Sequence, residues 1–324
     1  MNYGLPYMGS KNGIAEWVIS KMPKADNLYD LFCGGGAITH AAMLTNKFRH
    51  VYMNDLNPFV ELFVDAVRGK FHNENRWISR ADFERLKSTE PYVAYCWSFG
   101  NNMKGYLYSP ENEQVKKALW FAVMYDDWTL ADTLGIPFKR TKCTDTKHRR
   151  LDIMRHWKKY IVPKIKSGKL NFDKRMELQS LERLQSLESL ERLQSLESLE
   201  RLQSLERLQL NYTCGSYKDV AIKPDSVVYC DIPYRGTAKY TANEGGFNYT
   251  EFYDWAHAQT ELTLISEYSM PKGFVCVGQQ TKRNILSATA NTKALERIFV
   301  PDNQAELYRS KMAQKLTNVA QPTD

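Results

Sequence analysis

The fold class follows from residues 27–55, which read NLYDLFCGGGAITHAAMLTNKFRHVYMND. Asn27–Phe32 and His50–Asp55 are short apolar stretches, and this pattern predicts two buried strands. Between them a run of glycines leads into AITHAAMLTN, which predicts a helix. A strand, a glycine turn, a helix and a second strand together form the nucleotide-binding half of a doubly wound sheet.

Strand signals return in the last third of the chain. Ser226–Cys230 (SVVYC) runs directly into the tetrapeptide DIPY, and Gly273–Gly278 (GFVCVG) follows Glu251–Tyr268, which the sequence predicts to be helical. Strands and helices therefore alternate on both sides of a polar, basic middle. This arrangement predicts an α/β domain with a Rossmann-like sheet, made of 1–65 and 211–324 and interrupted by a mainly helical insertion over 66–176.

A second insertion, 177–210, has a leucine at every third position from Leu178 to Leu208. An amphipathic helix alternates spacings of three and four, because each residue turns it by about 100°. Strict threes would spiral the leucines around a helix, whereas a 3₁₀ helix or a short solenoid would align them. We expect a helix or helical hairpin on propensity, serving as a spacer without chemistry.

The composition limits the class of protein. Of 324 residues, 43% are hydrophobic and 25% are charged, which is typical of a soluble globular protein. No apolar run approaches the ~20 residues of a membrane-spanning helix, and the N-terminus lacks the pattern of a secretory signal. We therefore expect a cytoplasmic protein without a membrane partner. Six scattered cysteines with no zinc spacing predict neither a disulfide framework nor a metal site.

The positive charge is concentrated between Lys139 and Arg175. That segment holds fourteen Lys or Arg against three acids, a local net charge of +11, while the whole chain carries +7. Basic side chains beside aromatic rings are typical of a surface that binds a phosphate backbone, with rings available for stacking; the alternative is a solvated basic face. The candidate basic contacts are Lys139, Arg140, Lys142, Lys147, Arg149 and Arg150. The accompanying rings are Trp120, Phe121, Tyr125, Trp128, Trp157 and Tyr160.

The glycine turn has the features of a small-molecule site. Glycine lets the backbone approach a ligand closely, and Asp55 ends the next strand, where an acid would bind ribose hydroxyls. The dinucleotide pattern fails because Thr39 replaces its third glycine, and no phosphate-loop pattern follows. A turn of this kind suits S-adenosylmethionine, although glycines in a tight strand-to-helix turn are the alternative.

The tetrapeptide Asp231-Ile232-Pro233-Tyr234 follows an apolar strand and should project into the ligand crevice. A carboxylate and the Ile232 carbonyl could accept both N–H bonds of an exocyclic amine and direct its lone pair at a methyl group. Pro233 holds Ile232 extended, and Tyr234 could stack on an extruded base. The alternative interpretation is that these four residues form only a turn.

With these motifs, the chain resembles the Dam-like family of adenine-N6 DNA methyltransferases. The resemblance covers 1–65 and 211–300 well and is looser over 95–160. The matching segments are LPYMGSK (5–11), DLFCGGGA (30–37), NDLNP (54–58), SFGNNMKGYLY (98–108), RRLDIMRHWKKY (149–160), YCDIPY (229–234), GFNYTEFYDW (246–255) and ISEYSMPKGFVCV (265–277).

The resemblance implies roles for individual residues. Tyr7 and Lys11 would contact S-adenosylmethionine, and Phe32, Gly34 and Gly36 would shape the methionine side of its pocket. Asp55 would bind the ribose, whereas Asp231 would serve both the cofactor and, with Tyr234, the target adenine. Within this scheme 1–65 and 211–324 form the catalytic domain, and 66–176 is the target-recognition domain for double-stranded DNA. The family's commonest tetrapeptide is DPPY, so Ile232 departs from it.

The sequence therefore predicts a site-specific methyltransferase that flips an adenine out of the duplex and methylates N6. Two alternatives stay open: methylation of cytosine N4, and a DNA-binding relative without activity, which Ile232 motivates. We expect such an enzyme in one of two genetic settings. One is a restriction–modification system, with a cognate endonuclease as genetic partner, and the other is a phage or mobile element.

Overall fold

The computed structural model describes residues 3–5, 10–57, 59–71, 73–167, 210–235, 246–283 and 293–317. The chain divides into two compact units, the first formed by Met1–Gly69 with Leu196–Asp324 and the second by Lys70–Ser195. The leucine-rich insertion predicted for 177–210 lies outside the described residues, apart from Leu210.

The first unit is built on a seven-stranded mixed sheet with the order β3-β2-β1-β4-β5-β7-β6. The strands are β1 Asn27–Asp30, β2 His50–Asp55, β3 Leu210–Cys214, β4 Ser226–Cys230, β5 Leu262–Glu267, β6 Phe274–Arg283 and β7 Lys293–Pro301. Strands β3, β2, β1, β4 and β5 are parallel, whereas β7 pairs in the antiparallel sense with both β5 and β6. The α/β architecture predicted from the sequence is thus present.

Short helices accompany the strands. In the described residues they are α1 Ala15–Ser20, α2 Ala37–Met43, α3 Phe59–Val67, α4 Arg80–Leu86, α5 Pro91–Cys96, α6 Pro110–Tyr125, α7 Thr129–Thr133, α8 Thr146–His156, α9 Val162–Lys166, α10 Tyr249–Ala258 and α11 Ala305–Thr317. None of them is long and apolar enough to cross a membrane.

An apolar cluster lies on each face of the sheet. Successive residues of a strand point to opposite faces, so each strand contributes to both clusters. Leu28 and Val227 point into a cluster that also holds residues of α1, α2 and α11. Their neighbours Tyr29 and Val228 point the other way, towards Phe252 of α10. A strand buried on both faces has no polar alternation, which explains the apolar run Val227–Cys230 in β4.

Two predicted strands, His50–Asp55 and Ser226–Cys230, have the predicted bounds. The helix predicted for Glu251–Tyr268 is wrong beyond Ala258, since Leu262–Glu267 forms β5 and all six of its residues are buried. A short apolar run has no periodicity that separates a buried strand from a buried helix. Pairing with β4 on one side and β7 on the other decides in favour of a strand.

The second unit contains α4 to α9 and an antiparallel bridge between Ser98 and Tyr106. One apolar cluster of this unit joins α6, α7 and the turn after α8 through Ala118, Ala131 and Trp157. Trp97 and Trp120 are also buried and contact each other, with ring centroids 4.9 Å apart. The unit therefore has an apolar interior of its own.

Candidate active site

Three aspartates lie where neighbouring strands end. Asp30 and Asp55 are the last residues of β1 and β2, and Asp231 directly follows β4. Strand β1 lies between β2 and β4, and all three strands are parallel. The carboxyl ends of parallel strands share one edge of the sheet, where α/β folds bind their ligands. All three aspartates line one cavity of about 280 Å³, close to the ~300 Å³ at which small-molecule pockets begin.

This cavity collects most of the predicted cofactor residues from distant parts of the chain. Those that line it are Lys11, Phe32, Gly34, Asp55 and Asp231. Gly36 is flanked in sequence by two lining residues, Gly35 and Ala37. Tyr7 lies outside the described residues.

Asp55 ties the glycine turn to the end of β2. The backbone N–H of Gly34 donates to Oδ2 and that of Asn57 donates to Oδ1, each over 2.8 Å. Burial raises the pKa of the Asp55 carboxyl, and these two hydrogen bonds oppose the rise. A carboxylate offers about four acceptor positions, so Asp55 can accept hydroxyl groups of a ligand in addition to the two N–H groups.

Gly36 is required for the shape of the turn. It precedes α2 in the left-handed conformation, with φ 71° and ψ 26°. A Cβ atom at this position would lie only 2.8 Å from the Phe63 ring. Both the backbone angle and the space therefore exclude other residues from this position without strain.

Phe32 forms part of an apolar wall. Its ring centroid lies 5.2 Å from that of Tyr217 and 5.8 Å from that of Phe247, and all three residues line the cavity. Phe252 of α10 supports this wall, with its ring centroid 5.8 Å from that of Phe32. The cavity thus combines an apolar side with an acidic edge.

Asp30 is a buried acid that the sequence analysis did not assign to the site. Its Oδ2 accepts hydrogen bonds from the backbone N–H (3.1 Å) and the hydroxyl (2.7 Å) of Thr39. Its Oδ1 has no hydrogen-bond partner among the described residues. Burial raises the pKa of Asp30 to about 7, the Thr39 bonds oppose the rise, and the charges of Asp231 and Asp55 add to it. The signal in the sequence was an acid within the predicted strand Asn27–Phe32, because a charged residue that is buried needs a partner.

Asp231 is paired with a buried lysine. The Lys11 ammonium lies 2.9 Å from Asp231 Oδ1, and the Lys11 side chain is only 6% exposed. The same ammonium lies 4.4 Å from the centre of the Tyr234 ring. Lys11 therefore joins the N-terminal segment to the first and last residues of the tetrapeptide.

The rest of the tetrapeptide is anchored from several elements. Ile232 is buried among the apolar residues between the sheet and α10. The Pro233 carbonyl accepts a hydrogen bond from the Tyr249 hydroxyl (2.8 Å), and the Tyr234 hydroxyl donates to Glu296 Oε2 (2.7 Å). The N–H of Arg235, the next residue, donates to Glu267 Oε2 over 3.1 Å.

Glu267 and Glu296 are buried acids that the sequence analysis also missed. Each lies on a strand, Glu267 at the end of β5 and Glu296 within β7. Burial raises the pKa of Glu267, and N–H groups of Tyr268 and Arg235 oppose the rise. The signal in the sequence was an acid close to a largely apolar run, LTLI before Glu267 and IFV after Glu296, because a buried charged residue needs a partner. No group of His, Cys, Asp and Glu in the described ranges could hold a metal ion.

The predicted basic contacts lie in the second unit. Lys139, Arg140, Lys142 and Lys147 are exposed, and Arg150 is half-buried. Lys139 and Arg140 pair with Asp152 and Asp132 respectively. Exposed cations in this segment, between α7 and the first turns of α8, are available to a polyanion.

Arg149 corrects the prediction. Its side chain is buried, and its guanidinium donates to the carbonyls of Val123 (2.6 Å), Cys143 (3.1 Å) and Thr144 (3.0 Å). A guanidinium that is buried against three carbonyls is not presented to a phosphate. Arg149 ties the end of α6 to the segment before α8, so the phosphate contact predicted for it is wrong.

The aromatic residues of this region also divide into two groups. Trp120 and Trp157 are fully buried and belong to the interior of the unit, so they cannot stack on a base as predicted. Tyr125 and Tyr160 are exposed. Counting rings near basic residues does not separate the two groups, because aromatic residues also dominate apolar cores.

A family model described as D12 class N6 adenine-specific DNA methyltransferase matches residues 7–297. The match includes the glycine turn, the tetrapeptide and all the described residues that line the cavity. No individual curated protein matches the chain. The family's activity supports methylation of adenine N6, and it favours neither cytosine N4 methylation nor a DNA-binding protein without activity. With a match over most of its length, the chain belongs to the D12 class of N6 adenine-specific DNA methyltransferases.

Proposed function

We propose that this adenine methyltransferase binds S-adenosylmethionine in the cavity lined by Asp30, Asp55 and Asp231, and that the tetrapeptide presents adenine N6 there. The observation that carries the proposal is the convergence of three carboxylates and Lys11 on one cavity at the carboxyl edge of the sheet. When bound, the cofactor supplies a reactive methyl group on a positively charged sulfonium.

The described residues fit this cofactor. Asp30 Oδ1 is a buried acceptor without a partner among them, which is costly for a native structure and is relieved by a ligand donor such as an ammonium group. Asp55 would accept the ribose hydroxyls at the end of β2. Phe32, Tyr217 and Phe247 supply an apolar wall for the uncharged parts of the ligand.

The charge of the site favours a cation. Asp30, Asp55 and Asp231 line the cavity together with two lysines, Lys11 and Lys218. Lys11 is paired with Asp231, and Lys218 is paired with Glu251 at 2.6 Å. Unlike charges attract more strongly where water is excluded, so Asp30 and Asp55 favour a ligand with positive charge.

In the proposed reaction, the Asp231 carboxylate and the Ile232 carbonyl accept the two N–H bonds of the adenine amine. This geometry directs the nitrogen lone pair at the methyl group. Such positioning of the reacting atoms can supply a large part of an enzyme's rate enhancement. Tyr234 supplies an aromatic surface for the base, and Pro233 restricts the backbone at Ile232 to extended conformations. Ile232 retains the carbonyl that the chemistry needs, although it lacks the ring of proline.

The target base is inaccessible within the duplex, so we propose that it is flipped into the site. The exposed Lys139, Arg140, Lys142 and Lys147, with Arg150, would neutralise backbone phosphates. In this scheme 66–176 is the target-recognition domain, and the leucine-rich 177–210 is a spacer. We further propose a cytoplasmic enzyme beside its DNA, with a cognate restriction endonuclease or a mobile element as the genetic setting.

The first test is methylation of unmodified DNA by purified protein with S-adenosylmethionine. The product would be digested to nucleosides and read by mass spectrometry, and we expect N6-methyladenine. Asp231→Ala should lower the rate by about 100-fold or more while DNA affinity stays within a few fold. Asp254→Ala, at an exposed position of α10, is the control. Turnover by Asp231→Ala at the control's rate would remove Asp231 from the mechanism.

A further inference from the structure

Glu296 lies on the otherwise apolar face of β7 that Ile298 and Val300 form. In β7, residues 296, 298 and 300 share one face, and Ile298 and Val300 are completely buried in the apolar cluster on that side of the sheet. The period of two predicts a third apolar residue at 296. Glu296 is 3% exposed there. A carboxylate in such a place is costly unless it is hydrogen-bonded and paired, so its partners should explain its presence.

The partners of Glu296 are Tyr234, the last residue of the tetrapeptide, and Lys11, which is paired with Asp231. The Tyr234 hydroxyl donates to Glu296 Oε2 over 2.7 Å. The Lys11 ammonium lies 3.8 Å from the same oxygen and 2.9 Å from Asp231 Oδ1. Lys11 is therefore held between two carboxylates, one from the tetrapeptide and one from β7.

These contacts restrain the tyrosine ring from three directions. Glu296 holds its hydroxyl end, Lys11 lies over the ring 4.4 Å from its centre, and the Tyr268 ring packs against it edge-on with centroids 4.5 Å apart. Burial, with the charges of Asp231 and Glu296, holds the pKa of the Tyr234 hydroxyl well above its usual value. The hydroxyl therefore stays a hydrogen-bond donor throughout the neutral range.

We propose that Glu296 is a positioning residue for methyl transfer, which orients the Tyr234 ring through its hydroxyl and keeps Lys11 against Asp231. This proposal rests on the proposed function of the tetrapeptide. It also explains how a tetrapeptide without its first proline can keep its geometry. Side chains from β7, α10 and β5 anchor residues 234, 233 and 235, in place of the backbone restraint that proline would supply at 232.

Three variants separate the contributions. Glu296→Ala removes both contacts, Glu296→Gln keeps an acceptor for the hydroxyl but removes the charge beside Lys11, and Tyr234→Phe keeps the ring but removes the donor. The exposed Glu306→Gln on α11 is the matched control. The measured quantities are the single-turnover rate of methyl transfer and KM for S-adenosylmethionine, on plasmid DNA from a host without adenine methylation.

We expect Glu296→Ala to lower the single-turnover rate by about tenfold or more, because a charge-assisted hydrogen bond is lost. KM for S-adenosylmethionine should stay within about threefold, and Glu296→Gln should recover part of the rate. Adding Tyr234→Phe to Glu296→Ala should cost little more, because residues in direct contact act as a coupled pair.

The wild-type enzyme separates the two proposals. If it forms no N6-methyladenine, the proposed function fails and the role of Glu296 fails with it. If it methylates DNA while Glu296→Ala reacts at the rate of the control, only the role of Glu296 is overturned. Independent, multiplying effects of Glu296→Ala and Tyr234→Phe would also overturn it, since they would show that Glu296 does not act through the tyrosine.

Discussion

Buried carboxylates concentrate at this site, and burial raises the pKa of one of them, Asp30, to about 7. Its Oδ1 lacks a partner in the described structure, and both neighbouring aspartates disfavour its charge. The sequence motif that contains it was recognised for its glycines, whereas the acid in front of them was treated as part of a strand. A buried acid that accepts a ligand cation would be stabilised in its ionised form.

Asp30→Asn should alter the pH dependence of folding stability. The pKa of Asp30 is about 7 in the folded protein, and an aspartate in an unfolded chain has a pKa of about 3.9. Between these values the folded protein holds a proton that the unfolded chain has lost, so this group's stability contribution falls as pH rises through 7. Asparagine keeps an acceptor for Thr39 without the charge. Relative to wild type, the variant should therefore gain stability between pH 5 and pH 8.

Urea denaturation at both pH values would measure that gain. An equal stability difference between Asp30→Asn and wild type at pH 5 and pH 8 would contradict the assignment. Binding of S-adenosylmethionine supplies a separate readout, because the ionised acid should bind a ligand ammonium better. Wild-type affinity should rise between pH 6 and pH 8, and this rise should be smaller in Asp30→Asn.

Arg149→Ala should lower the stability of the folded protein, and its effect should not be limited to DNA affinity. The substitution leaves the carbonyls of Val123, Cys143 and Thr144 without their buried donor. We expect a loss on the order of 2–4 kcal/mol in the free energy of unfolding. The exposed Lys142→Ala should change it by less than about 0.5 kcal/mol. If the Arg149→Ala protein were as stable as wild type and bound DNA more weakly, the predicted phosphate contact of Arg149 would be correct after all.

The glycine turn before α2 has a tightly constrained geometry. It reverses the chain between β1 and α2, donates an N–H to Asp55 and lines the cavity, all within a few residues.

The structure of strand β5, in contrast, is not determined by its own sequence. Its sequence is compatible with a helix or a strand, and its two neighbours in the sheet decide the outcome.

Gly36→Ala should therefore be costly. A left-handed φ is strained for alanine by about 1 kcal/mol or more, and the new Cβ would lie 2.8 Å from the Phe63 ring. We expect a total loss on the order of 2–3 kcal/mol in stability, with weaker binding of S-adenosylmethionine as the turn shifts. Gly13→Ala is the matched control, because its Cβ would meet no atom within 4 Å. Equal stability of the two variants in urea would contradict this role for Gly36.

For the whole molecule, the important asymmetry is that of charge. The segment 139–175 carries a net charge of +11 in a chain whose total is +7, so the remainder is slightly acidic. The cavity is in the first unit, whereas Lys142 and Lys147 are in the second. This distribution is consistent with our proposal that the first unit carries the chemistry and the second unit attracts the polyanion.

Lys142→Ala with Lys147→Ala should weaken binding to DNA of every sequence. Each lost phosphate contact should reduce the slope of log affinity against log salt by about 0.9, so the double variant should lose about 1.8. The exposed Lys272→Ala in the first unit should leave the slope unchanged. A filter-binding titration over several salt concentrations measures both slopes, and an unaltered slope in the double variant would place these lysines away from DNA.

The resemblance to a family supplied most of the predicted cofactor residues that line the cavity. The residue order alone was sufficient for the fold class and for two strands at their observed bounds. These features depend on local rules: apolar runs form strands, glycines form sharp turns, and residues that follow parallel strands meet at one edge. The chemistry that we propose for the tetrapeptide likewise depends on four consecutive residues.

Tertiary packing alone decided the rest. It buried Arg149 beneath three carbonyls although His148 next to it is exposed, and it made a strand of Leu262–Glu267. It also brought Glu296 to Tyr234 across 62 residues of chain and Lys11 to Asp231. Such contacts depend on which strand pairs with which and on which face of each element is covered. Both are properties of the assembled sheet, and they have no local counterpart in the order of the amino acids.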